Sequence, residues 1–315
     1  MEPKVKIAVC SRSFSRNPLL RKELLSRYKT VTFNDSGEQL DGRRLVRFLK
    51  NHDKAITALE TIDESILSQL PQLKAIGKYG VGLDMIDMKA MSKYGVRLGW
   101  VAGVNRRSVS ELALSLMINL LRHVDVANSE VEAGIWRQLM GKQLSGRTVG
   151  IIGCGHVGKD LTKLLRPFGC EILVNDILDY PLFFKEYDIK RVSLPELMTR
   201  SDVVSIHVPL NINTRGILGV KMLSLMKRSA ILINIARGGL VDELALKNML
   251  IDHRLSGAAF DVFDTEPPKD TELLSLPNFL ATPHIGGSSE EAVLAMGRSA
   301  INGLEHNSVP QVDTK

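Results

Sequence analysis

Four groups of residues in this chain have the types and spacing that chemistry requires. The first is Val149-Gly150-Ile151-Ile152-Gly153-Cys154-Gly155-His156-Val157-Gly158, an apolar run that enters a complete G-x-G-x-x-G. Leu161, Leu164 and Leu165 then share one helical face, so the pattern changes from strand to helix across the glycines. Gly153 permits a tight turn, Gly155 lets backbone approach a diphosphate, and Gly158 lets the helix lie close to the strand. The helix's unpaired N–H groups and positive dipole end would meet that anion. A second apolar run, Glu171-Ile172-Leu173-Val174-Asn175, ends in Asp176, 23 residues after Gly153. A carboxylate there accepts from adenosine ribose hydroxyls and repels a 2′-phosphate, which predicts NAD rather than NADP.

The other three groups follow predicted strand ends, where ligands collect in open α/β sheets. Asn234-Ile235-Ala236-Arg237-Gly238-Gly239 sets an arginine fork among small residues, suited to a carboxylate. Phe260-Asp261-Val262-Phe263-Asp264-Thr265-Glu266-Pro267-Pro268 places Glu266 just before two rigid residues. Thr282-Pro283-His284-Ile285-Gly286-Gly287 holds a histidine, the side chain best suited to exchange a proton near neutral pH. Read singly, each also fits a structural role: a surface ion pair for Arg237, a turn for Glu266, a satisfied core position for His284. No metal site is expected.

These groups need elements to hold them, and 315 residues suffice for two domains. Strands are expected at residues 5–10, 30–33, 54–57, 73–77 and 96–98, with helices at 18–28 and 41–52. A long helix over 108–134, free of internal Gly and Pro, should join the two halves. A second series follows, with strands at 148–153, 171–175, 203–207, 230–234 and 255–260. Ser288-Ser289-Glu290-Glu291 then predicts a capping-box start to a last helix that needs the first domain as its partner. Strand–helix alternation means parallel sheets covered on both faces. The expected architecture is therefore two doubly wound parallel-sheet domains, a Rossmann dinucleotide-binding domain over 105–286 inserted into a flavodoxin-like substrate domain of 1–104 and 287–315.

Composition is that of an ordinary globular chain, with 44% hydrophobic and 24% charged residues. No apolar run reaches membrane-helix length, and residues 1–10 lack a signal-peptide core. Three cysteines argue against a disulfide framework, which makes cytoplasmic location the expectation. Cys154, beside a helix start, is read as loop packing rather than as a reactive thiol. The net charge of +6 is spread rather than clustered, so small anionic substrates are expected, and neither nucleic acid nor membrane.

Taken in order, the motifs resemble those of the D-isomer-specific 2-hydroxyacid dehydrogenase family, to which the phosphoglycerate dehydrogenases belong. Gly80-Val81-Gly82-Leu83-Asp84-Met85-Ile86-Asp87, Val104-Asn105-Arg106-Arg107-Ser108 and His207-Val208-Pro209-Leu210 add to the resemblance. It implies an NAD-dependent oxidoreductase that moves a hydride between the cofactor and a small D-2-hydroxy acid or its 2-oxo acid. The implied catalytic set is Arg237, Glu266 and His284. The implied cofactor contacts are Gly153, Gly155, His156, Val157, Gly158, Asp176, His207, Val208, Pro209, Thr214, Ile235, Ala236, Arg237, Asp261, His284 and Gly286, with Asp261 on the nicotinamide carboxamide. Substrate contacts would come from Lys78, Tyr79, Gly80, Val81, Gly82, Asn105, Arg237 and His284. Lys78, with Arg106 and Arg107 nearby, favours a second anionic group such as the phosphate of 3-phosphoglycerate. The family also implies a homodimer. Ala102, Met85 and His156 depart from its commonest residues, Pro, Asn and Arg. The alternative is an NAD(H)-sensing binding protein on the same fold, similar to corepressors.

Overall fold

The structure is a computed structural model that describes residues 5–311. Residues 1–4, read above as lacking a leader core, lie outside the described residues. The chain forms two compact units. One holds the residues up to Asn105 and those from Ser289 onward, and the other is Arg106–Ser288.

In the first unit, β1 (Lys6–Val9), β2 (Thr30–Phe33), β3 (Lys54–Thr57), β4 (Ala75–Lys78) and β5 (Arg97–Gly99) pair in the order β2-β1-β3-β4-β5. All pairings are parallel. That order is the flavodoxin-like one. Alternate residues of β1 face opposite covers. Ile7 and Val9 pack with Phe14, Leu20 and Leu24, while Ala8 packs with Leu45, Leu49 and Ile62. The helix Glu290–Gly303 lies on this sheet, burying Ala300 and Ile301. Its backbone comes so near that a Cβ at Gly77 would stand 2.2 Å from the Ala300 carbonyl oxygen, and one at Gly99 2.1 Å from that of Gly303. Only glycine fits at these two points. The expected capping box is replaced by a simpler cap. Ser289 accepts from Ala292 N at 3.2 Å, and Ser288 lies outside the helix.

The second unit pairs β6 (Thr148–Ile152), β7 (Glu171–Asn175), β8 (Lys190–Arg191), β9 (Val203–Ile206), β10 (Ile231–Asn234), β11 (Gly257–Phe260) and β12 (Phe279–Ala281) in the order β12-β11-β10-β9-β6-β7-β8. The order reverses beside β6, as in a Rossmann fold. The central strands β9, β10 and β11 are buried at every position, hence their mostly apolar sequences, with only Ser205 and Asn234 polar. The edge strands β8 and β12 were not foreseen. Each has too few residues for a period to show, and β8 is a Lys-Arg pair.

The expected helix over 108–134 is two helices, Arg106–Arg122 and Val124–Glu132. His123 between them has φ 54, a left-handed conformation. The first helix buries Val109, Ala113, Leu116, Met117 and Leu121 against the unit, whereas the second buries nothing. Once packing ends, propensity alone does not hold a helix straight. Asn119 Oδ1 accepts from Asp125 N at 3.2 Å and stabilises the break. Among the described residues no helix is long and apolar enough to cross a membrane.

Candidate active site

One row of paired residues crosses the second sheet. Asn175 is in register with Ile152, Ile152 with Ile206, Ile206 with Asn234, Asn234 with Phe260, and Phe260 with Ala281. Six parallel strands thus end side by side, about 4.8 Å apart. Asp176, the glycine loop, His207, Arg237, Asp261 with Glu266, and His284 each follow one of these strand ends. Register therefore brings together segments that are more than 100 residues apart in sequence.

On one side of the row, His284 Nδ1 lies 2.8 Å from Glu266 Oε2. A carboxylate only accepts, so Nδ1 carries the proton and Nε2 is left for proton exchange with a reactant. Glu266 Oε1 accepts from Phe263 N at 3.2 Å, which orients the carboxylate. Both side chains are partly exposed, as a group that meets a ligand must be. Arg237 sits on a turn built by Asn234. That amide donates to the Arg237 carbonyl oxygen at 2.9 Å and accepts from Ala236 N at 3.2 Å. Gly238 fits there because a Cβ would stand 1.9 Å from the Phe263 carbonyl oxygen, so the Arg237 turn rests on the segment that leads to Glu266. Asn234 was quoted in the sequence motif without a role. Its partners are local, and an Asx-type turn after a strand was the available signal.

Asp261 is 1% exposed. Its Oδ1 accepts from Thr282 Oγ1 at 2.6 Å and Ile285 N at 2.7 Å, and its Oδ2 from Gly286 N at 2.8 Å. Three of its roughly four acceptor positions are thus taken by the His284 loop. Ser108 Oγ donates to the Gly286 carbonyl oxygen at 2.7 Å. Thr282 and Ser108 were not foreseen as parts of the site, because their partners lie far off in sequence.

The glycine loop fits a dinucleotide diphosphate. Gly153 has φ 95, and a Cβ there would stand 2.7 Å from the His207 carbonyl oxygen. At Gly158 it would stand 2.2 Å from that of Gly153. At Gly155 it would meet nothing within 4 Å, which leaves room for a ligand to approach the backbone. The helix His156–Leu165 starts there with no side-chain cap, so its first N–H groups suit an anion. His156 is exposed, Val157 half-buried and Gly158 buried. Asp176 Oδ2 accepts from Cys154 N at 2.5 Å and its Oδ1 from Leu178 N at 2.8 Å, which ties the carboxylate to the loop. Cys154 is buried, and desolvation pushes its thiol up to about 12, so it packs rather than reacts.

Beyond β9, Thr214 Oγ1 donates to the Pro209 carbonyl oxygen at 2.6 Å and accepts from Asn211 N at 2.8 Å, closing the loop that begins at His207 and Val208. Desolvation lowers the His207 imidazole to about 3, so that ring stays neutral, its Nε2 2.9 Å from Ser205 Oγ. Ile235 is buried and Ala236 half-buried.

Lys78, Tyr79, Gly80, Val81, Gly82 and Asn105 belong to the first unit. Tyr79 is buried edge-on to Phe14, Gly80 has φ 124, and the Val81 carbonyl oxygen accepts from Trp100 Nε1 at 3.0 Å. Lys78 was expected to face a second substrate charge. The residue is 2% exposed, and its ammonium donates inward to the carbonyl oxygens of Ala58 and Tyr79. Arg107 is likewise committed elsewhere, to Asp160 of the second unit.

Comparison with known proteins adds to this geometry. Residues 114–286 match the D-isomer specific 2-hydroxyacid dehydrogenase, NAD binding domain. The D-3-phosphoglycerate dehydrogenase of Methanocaldococcus jannaschii is 36% identical over 262 residues, 82% of this chain and 50% of that protein. The hydroxypyruvate reductase of Thermotoga maritima is 35% identical over 268 residues, 83% of this chain and 87% of that protein. The chain belongs to the D-isomer specific 2-hydroxyacid dehydrogenase family. The structure of D-lactate dehydrogenase from Aquifex aeolicus, complexed with NAD and lactic acid, superimposes with a TM-score of 0.81 at 25% identity, over 95% of this chain and 93% of that one. The chain spans about half the length of the phosphoglycerate dehydrogenases that it matches.

Proposed function

We propose that this family member is an NAD(H)-dependent oxidoreductase that interconverts a small D-2-hydroxy acid and its 2-oxo acid. The observation that carries the reading is the 2.8 Å contact between His284 Nδ1 and Glu266, at the same end of the sheet as a glycine loop shaped for a dinucleotide. When bound, the nicotinamide would give or take the hydride. The Arg106–Ser288 unit would hold the cofactor. Its diphosphate would lie on the backbone at Gly155 and the following helix, and its adenosine ribose on Asp176.

His284 Nε2 would donate a proton to the alkoxide that forms as a 2-oxo acid is reduced, and would take it back in the reverse direction. Glu266 would hold the ring in the Nδ1–H tautomer and fix its orientation. Arg237 would bind the substrate carboxylate and stabilise the growing negative charge on the carbonyl oxygen. The first unit is assigned to substrate, with backbone N–H groups near Val81 and Gly82 as further carboxylate donors.

Within that class we favour glyoxylate or hydroxypyruvate over a phosphorylated acid. The inward turn of Lys78 and the pairing of Arg107 give two of the three groups that argued for a second charge, all but Arg106, partners within the protein. The relative named hydroxypyruvate reductase also aligns over most of its length. A homodimer is part of the proposal. The helix Val124–Glu132 buries no residue, and Trp136 and Met140 just after it are 85% and 94% exposed, a face that a second copy would cover. Sedimentation of the wild type and of Trp136→Ser tests this, and a monomeric wild type would refute it.

Turnover of NADH with glyoxylate, hydroxypyruvate, pyruvate and phosphohydroxypyruvate tests the activity. Oxidation with at least one of them is expected. NADH binding without turnover of any would favour a nucleotide-sensing protein.

A further inference from the structure

His284 adopts φ 55, a left-handed conformation that is unfavourable for a non-glycine residue and persists only where its surroundings impose it. The loop around it has few local restraints. His284 N donates to the Thr282 carbonyl oxygen at 3.0 Å, and Ser288 N to that of Ile285 at 2.8 Å. What imposes the conformation is the Asp261 carboxylate. It binds the hydroxyl of Thr282 on one side of His284 and the N–H groups of Ile285 and Gly286 on the other. The carboxylate is itself anchored, since Asp261 N donates to the Asn234 carbonyl oxygen at 2.9 Å, at the head of the Arg237 turn. A Cβ at Gly286 would stand 3.1 Å from Asp261 Oδ2, a tight contact to which the carboxylate would have to yield by a few tenths of an ångström.

We propose that Asp261 is a positioning residue for the reaction, bracing the 282–286 loop so that His284 is held against Glu266. This rests on the reading of His284 as the proton donor, and goes beyond the carboxamide contact that the family resemblance implies. One anchored carboxylate gathers donors from both sides of the histidine and links them to the strand end that carries Arg237. Both catalytic side chains therefore take their places from one buried group. Loss of the Thr282 donor loosens the imidazole without removing any substrate or cofactor contact named above.

Asp261→Asn tests the idea, because an amide offers one acceptor oxygen in place of two and turns an N–H2 toward a loop donor. In reduction of the best 2-oxo acid, kcat is expected to fall about 10- to 100-fold, the effect of misplacing a reacting group by on the order of 1 Å. KM for NADH, which reads the carboxamide contact, should change less than kcat does. Amide hydrogen exchange at Ile285 and Gly286 should accelerate in the same variant. Thr282→Val removes one donor without touching the carboxylate, and covers the case in which Asp261→Asn does not fold. Its kcat should fall several-fold with KM for NADH unchanged, and Thr282→Ser should restore it. If Asp261→Asn instead raises KM for NADH about tenfold with kcat and exchange unmoved, Asp261 serves the cofactor alone and the proposal is wrong. A wild-type protein that turns over no 2-oxo acid sinks the dehydrogenase reading. Exchange at Ile285 and Gly286 still decides the bracing in that case, and unaltered exchange in both variants overturns it.

Discussion

Arg107 grips Asp160 with two nearly parallel hydrogen bonds, Nε to Oδ2 at 2.9 Å and Nη2 to Oδ1 at 3.0 Å. Ser110 Oγ donates to the same Oδ2 at 2.5 Å. Asp160 lies on the helix behind the glycine loop and is 6% exposed, so these bonds fasten Arg106–Arg122 to the helix on which a diphosphate would rest. Burial pushes the Asp160 carboxyl up, but the bonds from Arg107 and Ser110 outweigh it and hold the group below the usual carboxylate range.

Removing that grip should destabilise the second unit. Arg107→Ala leaves a buried carboxylate with only Ser110, at a cost of about 1–3 kcal/mol. Because the folded group is the stronger acid, its contribution is complete above the unfolded value of roughly 3.9 and fades as pH falls through the lower folded value. Calorimetry should show a melting temperature several degrees lower at pH 7, with the gap from wild type closing in strong acid. Equal melting at pH 7 would show that the pair contributes nothing.

The imidazole and its carboxylate should separate kinetically. His284→Ala is expected to lower kcat by about 10²- to 10⁴-fold, the usual effect of losing a general acid. Glu266→Gln keeps the size of the side chain but removes the carboxylate that accepts from Nδ1 and orients the ring. It should reduce kcat, but less than His284→Ala does. Near-normal turnover by a folded His284 variant would exclude the assignment.

Arg237→Lys should damage both KM for the 2-oxo acid and kcat. An ammonium is a point charge and cannot reproduce the planar fork that binds a carboxylate with two bonds. A variant with wild-type constants would mean that Arg237 only packs against the Gly238 turn.

Cofactor choice follows from Asp176, whose oxygens are fixed by Cys154 N and Leu178 N. Held in place, the carboxylate cannot swing away from a 2′-phosphate. kcat/KM should therefore favour NADH over NADPH by at least about tenfold, which is about 1.4 kcal/mol. Parity between the two cofactors would contradict this.

Lys78→Met should raise KM for glyoxylate and for any dianionic 2-oxo acid alike. The lost ammonium ties the carbonyls of Ala58 and Tyr79, which follow the paired strands β3 and β4. A rise confined to the dianionic substrate would restore the direct role that the sequence suggested.

Local chemistry made much of this protein legible in its sequence. Thr30–Phe33, Lys54–Thr57 and Glu171–Asn175 are strands at the expected residues, because short apolar runs bounded by turn residues have few other uses in an α/β chain. The glycine loop was readable for the same reason, since each glycine answers a clash or a turn within a few residues or a close approach that the motif itself encodes. What tertiary structure alone decided were the partners of long polar side chains. Lys78 is as basic in sequence as any substrate-binding lysine, and only the closing of two loops over it turns its ammonium toward Ala58 and Tyr79. Asp261 reads as a ligand contact until the register of β11 with β12 brings Thr282, Ile285 and Gly286 to its oxygens across 21 to 25 residues. The break at His123 is equally invisible in a segment without Gly or Pro, because it marks where burial ends. Periodicity reports which face of an element is buried. The donor that a buried carboxylate finds depends on which strands come to lie side by side, and that is settled by packing the whole sheet.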